Sequence, residues 1–89
     1  MSNNLNKKMH ELLNPQAIVS VVPNYSGNAA IWGRLMQKHG IGVYPGFHDT
    51  KGNVTSWVAC DKHGGNEVTD DTPGRALCFC LIQIEEAKL

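Results

Sequence analysis

The sequence predicts an α+β fold, a small layered α/β sandwich in the order helix-strand-helix-strand-strand-helix. Three observations carry this. Apolar residues recur at helical spacing in two separate stretches. Short β-branched runs lie between Pro, Gly and Asn clusters. The closing segment opens on helix-start residues and continues as about four turns of apolar sequence.

The first element is a helix. Leu5, Met9, Leu12 and Leu13 share one face, and Asn14-Pro15 ends it because the residue before proline is driven out of the helical region. "AIVSVV", Ala17 to Val22, reads as a buried strand. After the loop "PNYSGN", a helix runs through "AAIWGRLMQKHG", capped by Ser26 or Asn28. Ile31 and Leu35 form one apolar line and Trp32 and Met36 another. Gly40 supplies a left-handed stop, and Gly33 weakens the helix and marks a close contact.

"IGVY" is the next strand and "VTSWVAC" the one after it. In the latter, Val54, Ser56 and Val58 take one face and Thr55, Trp57 and Ala59 the other. "DKHGGNEVTDD" reads as a polar loop. In the closing "DDTPGRALCFCLIQIEEAKL", Thr72 or Asp71 is an N-cap and Pro73 fits the first helical position. Its apolar residues lie on nearly all sides, so this helix is either central or lends a face to an oligomer.

At 89 residues the chain is one domain, residues 1–89. With 42% hydrophobic and 18% charged residues it is globular. Eight Lys and Arg against eight Asp and Glu give no bulk attraction to a nucleic-acid polymer or an anionic membrane. "MSNNLNKKMHELL" has no apolar run of the signal-peptide kind. Three cysteines, an odd number without framework spacing, point to a reduced cytosolic protein.

Cys60, His63, Cys78 and Cys80 form a C-x2-H and C-x-C set of zinc-ligand types. A strand would turn Cys78 and Cys80 to one side, whereas a helix separates them by about 200° and prevents convergence. With the helix favoured, both are packing residues, and no metal or other cofactor is expected. Cys60 with His63 offers a nucleophile and a base, but no motif orients them, so no catalytic residue is assigned. The acidic side chains of "DKHGGNEVTDD" lack calcium-loop spacing.

The two helix starts are the stronger candidate. Asn24, Tyr25, Ser26 and Asn28 surround one and Thr72 and Arg75 the other, and uncommitted N–H groups there suit phosphate or carboxylate. Gly27 and Gly74 give an anion close access to the backbone. Arg75 matches phosphate with a planar fork, and Tyr25, Trp32 and Trp57 offer stacking surfaces for a base. A plainer reading makes the polar residues caps, the tryptophans core anchors and Arg75 a tie to a loop.

"NYSGNAAIWGRLMQKHGIGV" resembles a phage segment in which a small polar loop precedes an "AW" helix and an "NGI" turn into a strand. "SWVA" resembles the tryptophan strand that follows, and "TPGRALCFCLIQI" the terminal helix with its Pro, Arg, Ala opening. Together they resemble the NinX-type proteins of lambdoid phages and the related phage ABA sandwich domain, over residues 24–84. The N-terminal helix and "AIVSVV" depart from that family's longer N-terminal regions. The resemblance implies a layered α/β domain encoded among phage or prophage accessory genes and located in the host bacterial cytoplasm. The expected function is a non-enzymatic binding module that sequesters a nucleotide-like signal of a bacterial defence system, as a homo-oligomer. The alternative is an inhibitor or adaptor that meets a host protein through its last helix.

Overall fold

The computed structural model describes residues 2–14 and 22–88. Its elements are α1 (Ser2–Leu13), α2 (Ala29–His39), β1 (Gly42–Pro45), β2 (Trp57–Cys60), β3 (Val68–Asp70) and α3 (Pro73–Glu86). The α+β class is as expected. The strand expected from Ala17 to Val22 falls, apart from Val22, outside the described residues. Among those residues the order is helix, helix, three strands, helix.

The sheet is an antiparallel meander ordered β1-β2-β3. Val43 faces Ala59 and Tyr44 faces Val58 in the first pairing; Trp57 faces Asp70 and Ala59 faces Val68 in the second. The third strand lies inside the stretch read as a polar loop, which is a correction. Asp61 folds the chain back, its carboxylate accepting from the His63 and Gly65 N–H groups. Gly64 and Asn66 take positive φ there, so the β-branched Val68 and Thr69 are returned alongside β2.

The long connection between β1 and β2 is an extension of the same hairpin. Gly46 N–H donates to the Ser56 carbonyl and Thr55 N–H to that of Phe47. Asp49 closes the tip by accepting from the Lys51 and Asn53 N–H groups.

α3 packs against all three strands and against both α1 and α2, so it lies between the sheet and the N-terminal helices. This settles the two options for its apolar circumference in favour of a central helix. Ala76, Leu77, Cys78, Cys80 and Leu81 are fully buried. α1 adds Leu5 and Met9 to this core, with Leu12 and Leu13 half-buried beside them. α2 contributes no fully buried residue and rests its half-buried Ile31, Trp32, Leu35 and Met36 on the core. Asn28 is its N-cap, the side chain accepting from Ala30 N–H, and Gly40 ends it in the left-handed conformation.

Candidate functional site

The starts of α2 and α3 meet. A groove of about 330 Å3 runs between them, lined by Ser26, Trp32, Thr72 and Arg75 together with the small residues Gly27, Ala29 and Gly74. Its geometry follows from Gly74. A Cβ at this position would collide with the Ser26 carbonyl oxygen and lie 2.8 Å from Trp32 Cδ1. The missing side chain is therefore replaced by α2's leading loop. Gly74 thus serves helix-to-loop packing as well as lining the groove.

Gly27 has a neighbour of its own. The Asn24 side chain fills the space beside it, and Asn24 Oδ1 accepts from Gly27 N–H at 3.1 Å. Ser26 caps nothing. It is buried, and both its N–H and its hydroxyl donate to Asn6 Oδ1, at 2.9 and 2.8 Å. Asn6 in turn donates through Nδ2 to Asn24 Oδ1 at 3.0 Å. One buried amide on α1 thus fixes the loop that forms one wall of the groove. Sequence reasoning passed over Asn6; the available signal was a short amide between Leu5 and Met9 on the apolar flank of an amphipathic helix.

Thr72 is the N-cap of α3, with Oγ1 accepting from Arg75 N–H at 3.2 Å. The Ala29 and Gly74 N–H groups have no partner among the described residues. Arg75 Nε donates to Asp70 Oδ1 at 2.9 Å, and the two side chains are 28% and 17% exposed. Its guanidinium lies over the Phe79 ring, Cζ 5.4 Å from the centroid. Asp70 and Phe79 therefore hold the fork in place while both Nη atoms remain without a partner among the described residues.

Of the three aromatic residues proposed for stacking, the groove contains Trp32. Tyr25 is buried, with its hydroxyl 2.8 Å from His10 Nδ1, and it borders a separate hollow of about 260 Å3. Trp57 is half-buried against the core from β2. Neither lines this groove, because the identity of an aromatic residue does not specify which side of its element packs. Asn24 and Asn28 act as loop tie and helix cap outside the groove lining.

The described residues contain no group of three or more His, Cys, Asp or Glu side chains able to hold a metal ion. Cys78 and Cys80 sit on the helix, both buried, while Cys60 is half-buried and His63 exposed. Burial pushes the Cys78 thiol up to about 12, against the pull of the Arg75 charge. Burial also pushes Cys80 up to about 11, with Cys60 and Asp61 adding to it. Neither is a thiolate at neutral pH, so neither suits nucleophilic attack. The Asp61 carboxylate is occupied by Asn66 and the backbone N–H groups of Gly65 and His63, which hold it below the usual carboxylate range.

No described helix is long and apolar enough to cross a membrane. Comparison with protein-family models, with curated proteins and with solved structures gives no match for this chain.

Proposed function

We propose that this chain is a non-enzymatic binding module and that the groove between the starts of α2 and α3 takes a phosphate-bearing, nucleotide-like small molecule. The observation that supports this is the convergence of Arg75, Thr72 and Trp32 on one hollow with two backbone N–H groups that lack a partner among the described residues. Arg75 brings a bidentate donor already oriented by Asp70, and Trp32 a ring edge for a base. Sequestration of a defence signal by a phage or prophage accessory protein in the host cytoplasm rests further on the resemblance to NinX-type proteins.

A protein partner is a second reading, favoured by the exposure of Tyr44 at 45% and Phe47 at 71% along the β1 edge. The last helix offers less for this, since most of its apolar residues are buried in the core. A second copy of the chain is one such partner, which keeps the expected homo-oligomer within this reading.

Thermal shift against linear and cyclic nucleotides tests the first reading. A native-state ligand at 100 times its Kd adds about 2.7 kcal/mol, which raises Tm by roughly 10 °C or more. Arg75→Ala is expected to abolish that response while the domain stays folded, losing about 1–2 kcal/mol because Asp70 is left without its partner. No response across the panel, or an unchanged response in the variant, removes the groove as the nucleotide site.

A further inference from the structure

We infer that the ligand spans two grooves, and that its second half lies between α1 and α3, over Phe79 and beside Lys8. This rests on the groove at the helix starts being the ligand site, and it specifies the class of ligand.

Arg75 borders both hollows. On one side is the groove of about 330 Å3 with Trp32 and Thr72. On the other is a groove of about 250 Å3 lined by Asn4, Leu5, Lys8 and Phe79 as well as Arg75. Small-molecule sites typically enclose about 300–1,000 Å3. The first hollow is at the bottom of that range and the second beneath it, while a ligand occupying both falls well inside.

The second groove has its own chemistry. Leu77, Leu81 and Ile82 of α3 are buried, but Phe79 is only half-buried and opens onto this hollow. Leu5 continues its apolar floor. Two cations border it. Arg75 stacks over the Phe79 ring, and Lys8 Nζ lies 3.4 Å from Glu86 Oε2 with both side chains about half exposed, at 53% and 51%. So long and exposed an ion pair contributes little, leaving the Lys8 ammonium free to turn toward an anion.

An apolar floor bordered by two cations fits a flat ring attached to phosphate. With Arg75 shared, the two grooves fit a molecule carrying two rings and phosphate between and beside them. The ligand class is a dinucleotide, in which Arg75 meets the phosphate that joins the halves.

Isothermal titration calorimetry with 5′-AMP and with the linear diadenylate pApA, on the wild type and on Lys8→Ala, tests this. The dinucleotide is expected to bind more tightly than AMP by on the order of tenfold, and Lys8→Ala to remove that gain while leaving AMP affinity unchanged. If AMP binds and pApA binds no better, or if Lys8→Ala leaves pApA affinity intact, the second groove is refuted and the first stands. If neither nucleotide binds, both are refuted.

Discussion

Gly74→Ala probes how the two helix starts are joined. In an open helix position, replacing glycine by alanine gains about 1 kcal/mol through helix propensity. Gly74 is the second residue of α3 and is not among the positive-φ glycines, so the backbone itself accepts alanine. Space does not. Besides the Ser26 carbonyl oxygen, the new Cβ would meet Trp32 Cδ1 at 2.8 Å and the Ser26 carbonyl carbon at 2.9 Å. Optimal carbon contacts lie at about 3.5–4.0 Å, so the helix starts must part by roughly 1 Å. Ser26 cannot yield alone, because two of its groups are bonded to Asn6.

Overpacking of this kind costs about 1–3 kcal/mol, and a clash with backbone belongs at the upper end. After the propensity gain the net loss is about 2 kcal/mol, or a fall in Tm of roughly 10 °C for a domain of this size. Circular dichroism melts measure it, with Gly33→Ala as the internal comparison. Nothing lies within 4 Å of a Cβ built at Gly33, which corrects the close contact expected there. That variant should gain about 0.5–1 kcal/mol and melt several degrees higher. A Gly74→Ala protein as stable as the wild type, or one no worse than Gly33→Ala, would refute the packing argument.

Three further outcomes are expected. Asn6→Ala strands two buried Ser26 donors and should cost about 3 kcal/mol in a denaturant titration, whereas Asn6→Asp, which keeps an acceptor, should cost less; equal losses would deny the acceptor its role. Ellman's reagent at neutral pH should titrate Cys60 in the native protein and reach Cys78 and Cys80 only after unfolding, given their thiols at about 12 and about 11; three fast thiols would contradict their burial. His39 has a buried Nε2 with no partner among the described residues, and burial holds its pKa below 6.5 despite the opposing pull of Glu85, with Lys38 and Lys88 lowering it further. The unfolded chain therefore binds this proton more readily. The stability that neutral His39 contributes is complete above about pH 6.5 and is lost as pH falls toward the lowered native value. His39→Gln should flatten that part of the stability profile, and an unchanged acid limb would assign it to other groups.

The parts of the fold legible in sequence were those governed by local chemistry. Thr72-Pro73 starts α3 and Asn28 and Gly40 bound α2, because caps act within one turn of the residues that encode them. β3 escaped notice because its three residues are a strand only through pairing with β2. The site was legible by halves. That two helix starts carry Ser26, Thr72 and Arg75 is a sequence fact, but their meeting is tertiary. The same tertiary contacts gave Gly27 and Gly74 packing roles that sequence does not show, and drew Tyr25 and Trp57 away. Asn6 was missed because it acts on Ser26, 20 residues away, and Asp70 and Phe79 because composition alone does not show which carboxylate or ring meets Arg75.

The burial of α3 also explains why the candidate site lies where it does. A helix enclosed by a sheet and two other helices has little side surface to offer a ligand. What remains open is its first turn and the strip marked by Arg75 and Phe79. Both openings lie where α1 and α2 pack on α3. α2, without a fully buried residue, approaches through Trp32 and the loop pinned by Asn6. α1 borders the second groove through Leu5 and Lys8. A ligand in either groove would therefore bridge helices as well as fill a hollow. Part of its binding free energy would consolidate the docking of α1 and α2 onto α3, which makes stability a direct reporter of occupancy in so small a protein.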